Sequence, residues 1–354
     1  MVGTDGSLPL PWLAPVLAQT LRSQQAHALL LQGPQGVGQF ELAMTLAQAW
    51  LCEAGQGAAR PCGVCASCRL VQAHSHPDLL VLMPEALQQA LGWGATDADE
   101  AAASERATKT KPSQEIKVEA VRRAVAFAQT TSARGRLKVV VLHPAERMNG
   151  ISANTLLKTL EEPAGDARFV LSCAAPEALL PTIRSRCQAV TMTLPPTAAA
   201  IEWLVTQGVK DAAVLLAATG GQPQEALAWS QEGVDAALWT RLPGLVAQGQ
   251  SPALSAWPLP RVVDALQKLC HDAACLAAGA APRYFPPASL RPGASGAALI
   301  AWMRELDRIA RRAEHPWNAG LVIESLVQQG QRALAGAARA APAVRGVSVH
   351  SRHE

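Results

Sequence analysis

Four cysteines near the start of the chain have the type and spacing of a metal site. They fall within 17 residues, at Cys52, Cys62, Cys65 and Cys68. The pattern C-x9-C-x2-C-x2-C brings three thiols into a tight knuckle and takes the fourth from the preceding segment. Four thiolates fill the tetrahedral shell of Zn²⁺ and leave no position for water, so we predict a structural zinc site held by all four. Reduced free thiols are the alternative, and His74 and His76 lie close enough in sequence to be spare ligands.

A glycine-rich loop supplies the second candidate site. The segment Gly33–Phe40 follows an apolar run at 28–31 that predicts a strand, and it precedes a helical pattern at 41–50. That order is typical of a phosphate-binding P-loop, G-x-x-x-x-G-K-[ST], in which backbone N–H groups and the helix N-terminus hold phosphate oxygens. The residues that correspond to this loop are Gly33, Gly36, Gly38, Gln39 and Phe40.

The last two loop positions lack the chemistry of a nucleotide site. Gln39 stands where a lysine would place a positive charge on the β- and γ-phosphates, and Phe40 stands where a hydroxyl would hold Mg²⁺. We therefore predict a degenerate loop that keeps its backbone shape and binds no ATP. A later apolar run at 137–142 shows a second defect, because it leads into His143 and offers only Glu146 where an ATPase needs an acidic pair.

The elements that would position these residues are the strands of a parallel sheet and the helices beside them. Apolar and β-branched runs predict buried strands at 28–31, 137–142 and 169–172, and a further strand at 79–82. Helical spacing of apolar residues occurs at 8–25, 116–127 and 154–163. From residue 198 onward only helical patterns recur, near 198–207, 211–219, 222–231, 257–279, 297–314 and 317–336. The sequence thus predicts an α/β domain followed by an all-α part.

Composition and charge limit the classes of protein. The chain has 354 residues, of which 49% are apolar and 17% charged, a balance that favours a helix-rich globular protein of two or three domains. A net charge of +3 is too small to indicate nucleic-acid binding by bulk electrostatics. For the basic group Arg134, Arg136 and Lys138 a solvated turn is the favoured interpretation, and direct contact with DNA stays open. No apolar run is long enough to span a membrane, so we expect a cytoplasmic protein.

Further motifs allow a family to be named. They are Asn154–Pro163, the triplet Ser185-Arg186-Cys187, the segment Gly220–Leu227 and the segment His315–Asn318. Together with the glycine loop and the four cysteines, these motifs resemble the delta-prime subunits of bacterial DNA polymerase III clamp loaders, which belong to the AAA+ superfamily. The likeness covers most of the chain except 84–113 and the tail.

This resemblance implies a RecA-like α/β AAA+ domain of the P-loop type, a small helical lid and an all-α collar domain for oligomerisation. The implied boundaries are 1–195 for the first domain, 196–235 for the lid, 236–336 for the collar and 337–354 for a disordered tail. The first domain would carry an inserted zinc knuckle at 52–68. It would also carry a flexible insertion at 84–113, where alanine and charged residues mix without a sustained period.

The resemblance also implies a function without intrinsic ATPase activity. Arg186 would act in trans as an arginine finger on the ATP of an adjacent gamma/tau subunit. Gln224 takes the position where ATP-binding relatives carry a nucleotide-sensing arginine. The partners implied are gamma/tau and delta subunits in a hetero-pentameric clamp loader, the beta sliding clamp, and primed DNA through the complex. The chain would then be an enzyme only as part of a nucleotidyltransferase, the DNA-directed DNA polymerase III holoenzyme.

Two other functions remain open from the residues. An active gamma/tau-like ATPase would require a lysine at position 39 and a hydroxyl at position 40, and the sequence has neither. A zinc-containing nucleic-acid-binding scaffold would use the AAA+ core only as a support. The small net charge weighs against the scaffold, as do nine tryptophans placed mostly at helical core spacing. For Arg186, the alternative is a solvated charge at a helix end.

Overall fold

The computed structural model describes residues 1–23, 26–55, 59–93, 112–163, 165–312, 315 and 317–335. The chain divides into two compact units. The first unit contains Met1–Trp203 together with Gln222–Glu225. The second contains Leu204–Gly221 and the chain from Ala226 onward. None of the helices in the described ranges combines the length and apolarity that crossing a bilayer requires.

A five-stranded parallel sheet forms the centre of the first unit, with the strand order β2-β3-β4-β1-β5. The strands are β1 (Ala28–Gln32), β2 (Leu79–Leu82), β3 (Lys138–Leu142), β4 (Ala167–Cys173) and β5 (Gln188–Thr191). The four predicted strands are confirmed, as is the parallel α/β class. The sequence did not indicate β5, because this edge strand buries only Val190 and therefore lacks an apolar run.

Helices cover both faces of this sheet. They are α1 (Leu13–Ser23), α2 (Gln39–Leu51), α3 (Ala66–Gln72), α4 (Glu85–Ala90), α5 (Val118–Ala128), α6 (Gly150–Glu161) and α7 (Pro181–Arg184). Successive residues of a strand point to opposite faces. Accordingly, Leu29 and Leu31 of β1 join the core under α1 and α2, whereas Leu30 joins the core under α5 and α6. The sheet is therefore the middle of three layers.

The predicted insertion at 84–113 is only partly described. Its first residues form α4, which the sequence did not indicate. Residues 94–111 lie outside the described residues. The knuckle segment also contains a helix that was not predicted, α3, which carries Cys68.

The second unit is helical throughout its described residues. Two helices, α8 (Thr197–Thr206) and α10 (Pro223–Gln231), begin in the first unit and continue into the second. The other α-helices of the second unit are α9 (Ala212–Ala218), α11 (Ala236–Ala247), α12 (Leu259–Ala277), α13 (Gly296–Ala310) and α14 (Ala319–Leu334). The all-α character of this region is confirmed. Helix α11 was not predicted, because Pro243 lies inside it and proline normally ends a helix.

One hydrophobic core serves the second unit. It includes residues from Ala218 to Ala333, with the indoles of Trp229, Trp239 and Trp302 almost fully buried. Trp239 stacks on Phe285 with ring centroids 4.4 Å apart. The core thus draws on both the predicted lid and the predicted collar, and the division into three domains stays a prediction. The predicted tail at 337–354 lies outside the described residues.

Candidate metal centre and degenerate nucleotide site

The four predicted cysteines converge in the structure. Cys52 directly follows the last residue of α2, Cys65 is the N-cap of α3, and Cys68 lies in its first turn. All four sulfur atoms lie within 4.8 Å of one another, with Cys62 Sγ 4.0 Å from Cys68 Sγ and Cys65 Sγ 3.9 Å from Cys52 Sγ. Four thiolates about 2.3 Å from a tetrahedral zinc lie about 3.8 Å apart. The cluster therefore has the ligand type and spacing to bind a metal ion.

Backbone N–H groups and burial act on these thiols in opposite directions. The N–H of Cys65 donates to Cys62 Sγ at 3.4 Å. Hydrogen bonds from the N–H groups of Val64 and Cys65 lower the pKa of Cys62 to about 6. Burial raises the pKa of Cys52 and of Cys68. A cation at the centre would oppose that effect, since metal ligation requires deprotonated sulfur.

The two nearby histidines have other contacts. His76 Nε2 lies 2.6 Å from Ser67 Oγ, and its Nδ1 accepts the N–H of Asp78 at 3.0 Å. The His74 ring stacks on Trp93 with centroids 3.9 Å apart. Neither imidazole belongs to the group of ligand atoms that lie within 4.8 Å of one another, so the structure does not bring these possible spare ligands into the cluster.

The glycine loop connects β1 to α2 as predicted. Gly38, the N-cap of α2, has φ 100°, and a Cβ there would lie 2.4 Å from Leu10 Cδ1. The Gln39 side chain is only 6% exposed, and its Nε2 donates to the carbonyl oxygens of Gly33 at 2.8 Å and Pro34 at 2.5 Å. The amide that replaces the P-loop lysine thus binds the loop itself.

Next to Gln39, the side chain of Phe40 forms a stack with a second ring. The Phe40 ring stacks on His143, at the end of β3, with centroids 4.7 Å apart and planes at 27°. His143 Nδ1 lies 2.8 Å from Ser172 Oγ. Burial lowers the pKa of His143 to about 4, against a smaller opposing effect of Glu146, so the imidazole is neutral at neutral pH. An apolar stack therefore stands where a Mg²⁺ ligand and an acidic residue would be required.

The cleft beside this stack has a volume of about 390 Å³. Gln224 donates from Nε2 to Glu41 Oε1 at 2.6 Å and from its backbone N–H to the oxygen of Gly36 at 3.4 Å. Glu146 Oε1 accepts the N–H of Ala174 at 2.9 Å. The charged residues lining the cleft are Glu41, Glu146, Arg147 and Glu225. This lining is mainly acidic, which opposes the binding of a triphosphate.

Arg186 lies just after α7 and does not line that cleft in the described structure. Its Nη1 donates to the carbonyl oxygen of Thr182 at 3.0 Å. Its Nη2 forms an ion pair with Glu161, the last residue of α6. The side chain is 29% exposed, so the guanidinium is neither buried nor free in solvent.

Two of the three basic residues near β3, Arg134 and Lys138, are paired with carboxylates. Lys138 is only 7% exposed; its Nζ lies 3.5 Å from Asp78 Oδ1 and 3.9 Å from the centroid of the Phe127 ring. Arg134 pairs with Glu53 at 2.6 Å. The interpretation of a solvated turn is thus wrong for Lys138, whose charge is held inside the fold.

A second group with possible metal ligands, at His271, Asp272 and Cys275, was not indicated by the sequence. Asp272 is fully buried, and its carboxylate accepts the N–H groups of the segment 283–285 at 2.7 to 2.9 Å. Its oxygens therefore anchor this segment, which explains the burial of an acid without a metal.

Comparison with known proteins places the chain in a family. The family model described as "DNA polymerase III, delta subunit" matches residues 13–196. DNA polymerase III subunit delta' of Pseudomonas aeruginosa is 38% identical over 267 residues, which cover 72% of this chain and 74% of that protein. The chain belongs to the DNA polymerase III delta' family. The delta' subunit of Escherichia coli is 33% identical over 280 residues, covering 73% of this chain and 76% of that protein.

A second group of DNA polymerase III subunits is similar to part of the chain. The Escherichia coli tau subunit is 34% identical over 161 residues, which cover 46% of this chain and 20% of that protein. Membership of the delta' family confirms the resemblance predicted from the motifs. The tau match shows that delta' and tau share sequence over part of the chain.

Proposed function

We propose that this chain is the delta' subunit of a bacterial clamp loader and that it assists catalysis without hydrolysing ATP itself. The observation that carries this proposal is the closure of the glycine loop by Gln39, whose amide donates to Gly33 and Pro34. A P-loop cradles phosphate when its lysine and hydroxyl face the nucleotide. In this chain both positions are used for internal contacts.

Arg186 is the residue proposed to act on ATP bound by a neighbouring gamma/tau subunit. A guanidinium remains charged at all physiological pH values, and its planar N–H groups match phosphate oxygens. An arginine supplied from a neighbouring subunit can raise the rate of triphosphate hydrolysis by ~10³ to 10⁵. The partial exposure of Arg186 is compatible with contact to another subunit.

The cysteine cluster is proposed to hold a structural zinc ion. Support comes from four sulfur donors within 4.8 Å of one another and from the backbone N–H groups that donate to them. Four thiolates leave no open coordination position, so the metal would stabilise the segment rather than take part in a reaction.

The proposed partners are gamma/tau and delta subunits in a hetero-pentamer, the beta sliding clamp, and primed DNA through the complex. The similarity to the tau subunit supports membership of one assembly, because subunits of a ring commonly share a fold. In this proposal the AAA+ domain spans 1–195, the lid 196–235 and the collar 236–336.

The deciding experiment is an ATPase assay of the clamp loader reconstituted with this chain. Arg186→Ala should lower clamp- and DNA-stimulated ATP hydrolysis at least ~10-fold, since a transition-state cation is removed. Arg184→Ala is the matched control, because Arg184 is exposed and precedes Arg186 by two positions. Equal rates of ATP hydrolysis for the Arg186→Ala and wild-type complexes would refute the role of Arg186 as an arginine finger.

Measurements on the isolated chain distinguish the proposed function from the rival one, an active gamma/tau-like ATPase. We expect calorimetry to detect no binding of ATP at micromolar concentration and purified protein to release no phosphate. Turnover by the isolated chain, free of contaminating ATPases, would favour the rival.

A further inference from the structure

The proposed finger is tied to a carboxylate of its own chain. Arg186 Nη2 pairs with Glu161 at the end of α6, and Arg186 Nη1 donates to the carbonyl oxygen of Thr182. Among the residues that the structure describes, Arg186 Nε is buried and finds no acceptor. Both terminal nitrogens, which a finger would present to phosphate, are thus engaged within the chain, while one donor remains unsatisfied.

The position of Glu161 is unfavourable without this partner. The C-terminal end of a helix carries partial negative charge on its unpaired carbonyl oxygens, so a carboxylate there is repelled. Glu161 is the last residue of α6, Lys158 lies in the same last turn, and Arg186 is the cation that forms an ion pair with Glu161. The run Asn154–Pro163, which the sequence singles out as a motif, therefore contains near its end a residue, Glu161, that pairs with the proposed finger.

The Arg186–Glu161 ion pair is exposed enough for Arg186 to exchange Glu161 for another anionic partner. Glu161 is 48% exposed and Arg186 29% exposed, and ion pairs in contact with water are weak. A phosphate offers a guanidinium more oxygens and more charge than one carboxylate does. A γ-phosphoryl group on a neighbouring subunit would therefore compete with Glu161 for Arg186.

We propose that Glu161 is a positioning residue that holds Arg186 on its own subunit until a phosphate group displaces it. This inference rests on the proposed role of Arg186 in trans. Glu161 sets how readily the finger leaves, and the unsatisfied Nε gains an acceptor when it does. The carboxylate is thus a competitor of the phosphate rather than part of the catalytic site.

The first test is the Glu161→Gln variant in the reconstituted clamp loader. Loss of the carboxylate charge should favour release of the finger and raise kcat/KM for ATP by about 1.5- to 5-fold, the range expected for an exposed ion pair. Glu162→Gln is the matched control, because Glu162 is exposed, adjacent and outside the ion pair. An unchanged or lower kcat/KM for Glu161→Gln would overturn the proposal.

A double-mutant cycle separates positioning from a merely structural effect. In the Arg186→Ala background, Glu161→Gln should have no further effect on kcat/KM, because there is no finger left to release. A rise that persists in that background would show that Glu161 acts by another route. If Arg186→Ala alone leaves the rate unchanged, the proposed function fails. If Arg186→Ala lowers the rate and Glu161→Gln leaves it unchanged, only the inference about Glu161 fails.

A second measurement uses the isolated chain and needs no ATPase. In protein labelled with ¹⁵N-arginine, NMR should show slow guanidinium rotation for Arg186 in the wild type and faster rotation in Glu161→Gln. The signal is assigned by its loss in Arg186→Ala. Equal rotation rates in wild type and Glu161→Gln would show that the pair does not hold the finger.

Discussion

The two ends of helix α2 carry the two candidate sites, and they differ in how their polar groups are satisfied. At the N-terminal end, the Gln39 amide donates to loop carbonyl oxygens and Phe40 stacks on His143. At the C-terminal end, four sulfur atoms meet and accept hydrogen bonds from backbone N–H groups. The first site is completed by its own side chains, whereas the second is suited to an added cation.

This difference shows that backbone shape and ligand chemistry are separable. A helix N-terminus after a glycine loop remains a potential anion site whatever the side chains are. The side chains at positions 39 and 40 decide whether the site is available. For the cysteines the side chains themselves are the ligands, so the site persists as long as all four are present.

The largest effect is expected at the cysteine cluster. Cys68→Ser should reduce bound zinc from about one ion per chain to near zero. It should also lower stability by about 5 kcal/mol or more, because metal binding free energy is folding free energy in such modules. For a unit of this size that corresponds to a melting temperature lower by about 10–20 °C. Elemental analysis and calorimetry measure the two quantities.

The control for this change is Cys187→Ser, which alters a cysteine that belongs to neither group of possible metal ligands among the described residues. It should leave the zinc content at its wild-type value. The wild-type protein could instead contain far less than one zinc per chain and have the same melting temperature as Cys68→Ser. That result would remove the contrast between the two ends of α2.

The sequence predicts strands that have apolar runs better than strands that lack them. Strands β1, β3 and β4 were predictable because burial on both faces requires apolar runs, and the edge strand β2 because all four of its residues are apolar. The cysteine cluster was predictable because four thiols at this short spacing are typical of a metal site. Edge strand β5 has no apolar run, and α11 contains Pro243. Periodicity alone therefore misses elements that long-range packing stabilises.

The sequence identifies which residues form the candidate sites, but it does not show which contacts they make. Gln39 and Phe40 were identified as replacements, yet the sequence does not show that they would bind the loop and His143. The pairing of Arg186 with Glu161 joins positions 25 residues apart, and no local pattern encodes it. Such contacts depend on how α6 and α7 pack, which sequence spacing does not specify.

Asp78 is a buried carboxylate whose hydrogen-bond donors and counter-ion come from its own chain. The cost of removing it can be compared with the cost of losing the cysteine cluster. Burial acts to raise the pKa of Asp78, but donors from the segment 132–134 and the charge of Lys138 outweigh it and hold the pKa below its ordinary value. Asp78→Ala should cost about 3–5 kcal/mol, because Lys138 is left buried and unpaired. Chemical denaturation measures the loss, with the exposed Asp166→Ala as a control.

The pH dependence of that loss has a defined sign. Since the folded pKa of Asp78 is depressed, its contribution is present above the unfolded pKa of about 3.9 and is lost as pH falls through the folded value. The stability difference between wild type and Asp78→Ala should therefore shrink below about pH 4. A difference that grows on acidification would contradict this assignment.

The stacked rings at the N-terminal end predict a different pH window. The folded pKa of His143 is about 4, against about 6.5 when unfolded, so the unfolded chain binds more protons between these values. Stability should fall by about 3 kcal/mol as pH decreases through that window.

Phe40→Ala should hydrate His143 and raise its pKa, whereas Phe40→Leu should keep it low by excluding water. NMR titration of the imidazole distinguishes the two, and equal pKa values would show that the ring does not shield His143.

The smallest effect is expected for Gln39→Ala. It removes two hydrogen bonds from the side-chain amide to the loop carbonyls and should lower the free energy of unfolding by about 1–2 kcal/mol. Gln35→Ala is the control, because Gln35 is an exposed residue of the same loop. A loss no larger than that of the control would mean that the loop keeps its shape without the amide. The N-terminal end of α2 would then not be closed by its own side chain, and its contrast with the cysteine cluster would rest on Phe40 alone.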